Sequence, residues 1–196
     1  KLIRTFSVPV YNALPQLYCL IVSKMVCLSI EYGNTIESAY GYAAYAMVLC
    51  GIALDLETGY QFGQLALNLV EKLNAKNIKA SILFLVNCFT IHWKKHLQET
   101  LKPSLEAFQV GRETGDLQFA AFGLYTYCFY SFWSGRELSQ LEQEMEKYNH
   151  VMVQMNQDNI LSYHNQYWQV VLNLINPSEN PCLIVGKGYN ETQMLP

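Results

Sequence analysis

The stretch Leu117-Gln118-Phe119-Ala120-Ala121-Phe122-Gly123-Leu124-Tyr125-Thr126-Tyr127-Cys128-Phe129-Tyr130-Ser131-Phe132-Trp133 decides the fold. It is apolar on nearly every side of a helical projection, so as a helix it must be surrounded by other helices. It falls short of the roughly 20 residues that a membrane span needs. Past Ser134-Gly135, the apolar residues Leu138, Leu141, Met145, Tyr148, Met152 and Met155 recur at spacings of 3, 4, 3, 4 and 3, with acids and amides between them. That is one narrow stripe, the mark of an outer helix laid over a buried one. A buried helix followed by a striped helix is what stacked helical hairpins require.

Elsewhere, residues 39–54 and 82–93 have the same all-round apolar character as 117–134. The periodicity predicts helices at about 10–31, 36–54, 57–73, 77–93, 95–113, 117–134, 137–155 and 158–175. Sustained apolar/polar alternation is missing, so no strands are expected. Gly33 can end one helix, and Asn34 with Glu37 can form the capping box of the next. Thr114-Gly115-Asp116 and Ser134-Gly135-Arg136-Glu137 repeat the device. Pro103 is expected to kink or restart its helix near Lys102. A period near 40 sets Leu65 on Leu105, Ala80 on Ala120 and Asp116 over Asp158. It exceeds the length of a tetratricopeptide unit, about 34 residues, and that unit's signature is missing. The expected fold class is all-α: antiparallel helical hairpins stacked as a tetratricopeptide-like array of about eight helices.

Residues 1–176 read as one helical-repeat domain of a larger protein, and 177–196 as a Pro- and Gly-containing tail leading to further helices. The helix over 158–175 carries Ile160, Tyr163, Trp168, Val171 and Ile175, too much apolar surface for a terminal cap. Its open face is expected to be covered by the tail folding back, by a second copy, or by both, and a second copy would give a homodimer through exposed terminal helices.

Apolar residues make up 51% and charged residues 15% of the 196 residues, which excludes a disordered chain. Net charge is −3 and the isoelectric point about 5.8. With no basic stripe, neither nucleic acid nor an anionic membrane is an expected partner. Cys19, Cys27, Cys50, Cys88, Cys128 and Cys182 lie in apolar segments without a C-x-x-C pair. Reduced core cysteines in a cytoplasmic protein are the expectation.

His92, His96 and Glu99 have a spacing that could hold zinc on one helical face. Trp93-Lys94-Lys95 between them replaces the H-E-x-x-H glutamate and adds two repelling cations, so no metal is expected. Gly186-Lys187-Gly188 lacks the rest of a phosphate-binding loop. No glycine-elbow nucleophile is present, and neither a catalytic residue nor a cofactor is expected. The aromatic residues Tyr40, Tyr42, Tyr45, Tyr125, Tyr127, Tyr130 and Trp133 fall on the inner helices, where they either fill the core or line a groove. Asn87, polar within Leu83-Phe84-Leu85-Val86, needs a hydrogen-bond partner or a ligand. The candidate interaction surface is Tyr42, Tyr45, Asn87, His92, Trp93, Tyr125 and Tyr127. The alternative is a small-molecule- or metal-binding helical enzyme domain.

The segment Leu28-Ser29-Ile30-Glu31-Tyr32-Gly33-Asn34-Thr35-Ile36-Glu37-Ser38-Ala39-Tyr40 resembles a family pattern, SL-x-YGNS-x-x-SA-x-x-Y. It is followed by Thr58-Gly59-Tyr60-Gln61-Phe62-Gly63-Gln64-Leu65-Ala66-Leu67, His92-Trp93-Lys94-Lys95-His96, Glu113-Thr114-Gly115-Asp116 and Asn180-Pro181-Cys182-Leu183. Together these resemble the helical region of large cyanobacterial multi-sensor hybrid histidine kinases and related serine/threonine kinases. Such proteins carry a signal-transducing ATPase module, this helical region, a GAF sensor and a kinase module. The resemblance implies a non-catalytic regulatory spacer that engages neighbouring domains or partner proteins, because the catalytic motifs lie in the other modules.

Overall fold

The computed structural model describes residues 2–176, 180 and 182–194. The α-helices among them are α1 (Leu2–Ala13), α2 (Pro15–Tyr32), α3 (Ile36–Val48), α4 (Leu56–Lys72), α5 (Lys76–Phe89), α6 (Gln98–Thr114), α7 (Leu117–Trp133), α8 (Leu138–Gln154), α9 (Asp158–Ile175) and the short α10 (Glu191–Met194). A π-helical turn, Leu49–Ala53, continues α3, and a 3-10 turn, Ile91–Trp93, follows α5. An isolated bridge joins Val185 to Asn190, and the described residues contain no strand. α3, α5, α7 and α9 pack side by side as an inner layer, and α4, α6 and α8 each seat on the two inner helices they connect. α2 does the same for α1 and α3. The inner helices begin at Ile36, Lys76, Leu117 and Asp158, almost evenly spaced along the chain. The chain is an all-α array of hairpins, with the period that the sequence suggests.

The boundaries depart from expectation where local chemistry is finer than periodicity. The helix expected at 10–31 is two helices, because Pro15 opens α2 at a position where a missing N–H is harmless. The N-cap of α3 is Thr35 rather than Asn34, and its N–H donates to Ser38 Oγ at 2.9 Å. Asn34 accepts the Tyr42 hydroxyl instead, at 2.6 Å. The helix expected to end at 93 stops at Phe89, and α6 then runs unbroken through Pro103. That proline lies within two turns of the helix start, where its unused acceptor belongs to exposed Glu99 and can bond water. Gly115 and Gly135 supply φ values of +78° and +77° after α6 and α7. Glu137 caps α8 by accepting from the N–H groups of Ser139 and Gln140, at 2.9 and 2.8 Å.

Packing follows the two helix types. The α8 stripe buries Leu141, Met145 and Met152 completely. α7 buries residues on most of its circumference and meets α6 so closely that a Cβ on Gly123 would lie 2.7 Å from the Ser104 carbonyl oxygen. The described part of the tail folds back on the last hairpin. Gln169 Oε1 accepts from Gly188 N–H at 2.8 Å, Asn173 Nδ2 donates to the Leu183 carbonyl at 2.7 Å, and Lys187 pairs with Glu146. Pro177 and Pro181 of that tail lie outside the described residues. All six cysteines are free, and only Cys50 and Cys128 are fully in the core, while Cys27 and Cys182 are exposed against the expected burial. Among the described residues no helix is long and apolar enough to cross a membrane.

Candidate ligand groove and docking edge

An inner helix is flanked by two inner neighbours and two outer helices, so one face remains open. On that face the side chains form a groove of about 450 Å³. Tyr40 and Met47 of α3, Phe84, Leu85 and Phe89 of α5, Phe119 and Phe122 of α7, and Ile160 and Tyr163 of α9 line it. Phe84 organises the floor: it stacks on Phe122 with centroids 4.5 Å apart and meets Phe89 edge-on at 5.7 Å. Tyr11, Asn12 and Tyr18 from α1 and α2 also line it, as do Asn156 to Asn159, where the α8–α9 turn runs into α9. Tyr11 packs edge-on against Tyr18 at 5.3 Å. Burial, then Tyr40 beside it, holds the Tyr18 hydroxyl far above its ordinary range, so it stays a neutral phenol. Amides dominate the rim, with Asn12, Gln118, Asn156, Gln157 and Asn159, and Asp158 is the one charged side chain among the described lining residues.

The array also presents an apolar edge where the inner helices end. Ile52, Trp93, Trp133 and Leu174 are 65%, 48%, 59% and 57% exposed. Counted from the first residues of α3, α5, α7 and α9, at Ile36, Lys76, Leu117 and Asp158, they share one offset to within a single position. One large exposed apolar side chain therefore recurs near the same sequence position in each of four successive units, Ile52 on the π-helical turn, Trp93 on the 3-10 turn, and Trp133 and Leu174 at the ends of α7 and α9. Isolated exposed apolar residues are commonplace, but a register-matched set is a surface feature.

The candidate residues divide between these surfaces and the interior. Trp93 is on the edge, with the His92 ring 4.9 Å away. His92 is half-buried, its Nδ1 lies 3.3 Å from the Tyr130 hydroxyl, and burial lowers its pKa. Tyr125 does not line the groove but packs beside it, 6.1 Å from Tyr163 and 5.8 Å from Phe129. Tyr42 and Tyr45 instead turn toward α4 and pack on Phe62 at 5.8 and 5.0 Å. Asn87 is buried and donates to the Leu83 carbonyl at 2.7 Å. Tyr127 faces α8, where its hydroxyl donates to Glu144 at 2.9 Å beneath a bidentate Arg136–Glu144 pair at 2.9 and 2.7 Å. The helix breaks between Phe89 and Gln98, so His92, His96 and Glu99 do not share a helical face. Glu99 pairs with Lys95 at 3.4 Å, and no three potential ligands gather at a metal-binding distance among the described residues. Sequence reasoning misses the groove residues Phe84, Phe89, Phe119, Phe122 and Tyr163. The signal for the edge is present in the repeat, because Trp93 and Trp133 stand one period apart.

No family model matches the chain, and no solved structure matches it. Over 159 residues, 80% of the chain, it is 26% identical to Hybrid signal transduction histidine kinase G of Dictyostelium discoideum. The match spans only 4% of that protein's length. The chain is thus similar to a small region of a signal-transduction histidine kinase.

Proposed function

We propose that this array is a non-catalytic regulatory and scaffold region of a multidomain signal-transduction kinase. It docks helical segments of the same polypeptide, or of partner proteins, in the cytoplasm. The finer expectations drawn from the resemblance belong to this proposal: a cyanobacterial-type multi-sensor architecture with an ATPase module, a GAF sensor and a histidine or serine/threonine kinase module, and a tetratricopeptide-like arrangement of the hairpins. The register-matched edge of Ile52, Trp93, Trp133 and Leu174 carries the reading. Packed helices stand about 8–10 Å apart, and an α-helix advances about 10.5 Å in seven residues. An amphipathic helix laid across the units can therefore place one apolar residue per heptad on each exposed side chain. The similarity to a histidine kinase region supports the signalling context. The enzyme alternative has less support, since Asp158 is the one carboxylate among the described groove residues and no second acid or base faces it.

The test is Trp93→Ala with Trp133→Ala in the full-length kinase that carries the array. Signal-dependent autophosphorylation should lose its response to stimulus while basal phosphotransfer persists. Truncating a docking tryptophan typically costs about 2 kcal/mol or more, near 30-fold in affinity. An unchanged stimulus response in the folded double variant would refute the scaffold reading.

A further inference from the structure

We propose that the groove between the first and last turns of the array is a binding site for a small organic cation. Its ligand has an apolar or aromatic body and a protonated amine or quaternary ammonium group. Size comes first. At about 450 Å³ the groove matches a site for one small molecule. Two turns of a helix about 10 Å across would need about 850 Å³. The walls come second: Tyr11 and Tyr163 are 46% and 51% exposed along the groove, above a floor in which Phe84 stacks on Phe122, and an aromatic face attracts a cation.

Charge decides the class. Asp158 is exposed at the rim and forms no ion pair among the described residues. The described lining holds no lysine, arginine or histidine. Two helix N-termini, those of α7 and α9, reach the groove and by themselves would favour an anion. Each carries about half a positive charge, but Asp158 on the first turn of α9 opposes it. With no lysine, arginine or histidine in the described lining to hold an anion, an anionic ligand is disfavoured. A purely neutral ligand would take water from Asp158 without replacing it. A cation both pairs with that carboxylate and sits against the rings.

The site is separate from the docking edge: Trp93 and Trp133 do not line the groove. It also joins distant parts of the chain, since Tyr11 of α1 and Tyr163 of α9 both line it.

The probes are benzyl(2-hydroxyethyl)dimethylammonium, its carbon isostere 3,3-dimethyl-4-phenylbutan-1-ol, and 4-phenylbutyrate, titrated calorimetrically into the folded chain. The cation should bind, the neutral isostere should bind at least tenfold more weakly, and the anion should give no heat. Asp158→Asn should weaken the cation about tenfold and leave the isostere unchanged. Tyr163→Ala, at a half-exposed position, should weaken both ligands. Trp93→Ala with Trp133→Ala should change neither, which separates this site from the kinase-docking reading. Equal affinity for cation and isostere, tighter binding of the anion, no binding by any probe, or an indifferent Asp158→Asn would each overturn the proposal.

Discussion

Replacing His164 by glutamine should remove about 2 kcal/mol of the acid sensitivity of this fold between pH 7 and pH 5. His164 is fully buried between α8 and α9, with Nε2 2.9 Å from the Met145 carbonyl oxygen. That carbonyl can only accept, so Nε2 carries the proton and Nδ1 keeps a bare lone pair. Nδ1 is buried without a partner among the described residues. Burial pulls the imidazole pKa down to about 4, against the weaker opposing effect of the Met145 bond. In the unfolded chain it returns to about 6.5. The unfolded state therefore binds a proton below pH 6.5 that the folded state refuses until about pH 4, and stability falls as the pH falls through that window. Linkage with those two values gives a loss of about 2 kcal/mol between pH 7 and pH 5. The glutamine amide of His164→Gln can keep the donor to Met145 and cannot titrate. His92, also lowered by burial, contributes equally to both proteins. Asp55, Glu57, Glu137 and Glu146, whose pKa values are lowered by hydrogen bonds, lose their contributions only as the pH falls through and below the ordinary carboxylate range. Urea unfolding at the two pH values should show the wild type losing about 2 kcal/mol more than His164→Gln. Equal losses would refute the reasoning.

Gly123→Ala drives a methyl group onto the α6 backbone at Ser104 and Phe108, and should cost about 2–3 kcal/mol in chemical unfolding. A change below half that would mean α6 and α7 can separate without penalty. Leu54 is exposed at φ +57°, a conformation that disfavours a branched aliphatic side chain, so Leu54→Asn should raise stability by about 1 kcal/mol and the melting temperature with it. Leu14, Leu17, Leu20 and Ile30 are exposed around α2, so we expect self-association at high concentration through α2. Sedimentation should show it abolished by Leu17→Glu with Leu20→Glu, and a wild type that stays monomeric throughout would count against it.

The inner and outer helices were legible because burial acts on whole faces. α7 could be read from its lack of a polar side, and α8 from the stripe Leu141, Met145, Met152. The turns were legible wherever glycine supplied a positive φ, as at Gly115 and Gly135. The break at Pro15 was hidden because the apolar pattern continues on both sides of it, and only the proline's place at the helix start separates the two helices. The groove was hidden for a geometric reason. Tyr40 and Tyr42 are two positions apart, about 200° around a helix, and the outcome is opposite: Tyr40 lines the groove and Tyr42 packs toward α4. Periodicity identifies a helix that is apolar all round but cannot say which sector its neighbours leave uncovered. The lining also unites Tyr11 with Tyr163, and no local window of sequence contains both.

The apolar edge at the ends of the inner helices bears on function because the stability of the core does not require it. Val22, Ile82, Leu124 and Val171 are completely buried, and removing them from water contributes to folding. Trp133 at 59% and Ile52 at 65% exposure contribute little of that kind, and polar residues there would leave the interior packing unchanged. A solvent-facing tryptophan instead adds to the tendency to associate. Four such residues at one repeat position, beside a groove whose described charge is a lone carboxylate, make sense when something covers the edge and something else fills the groove. The array's layered core accounts for its persistence as a fold, while the residues that the core does not need are those available for recognition.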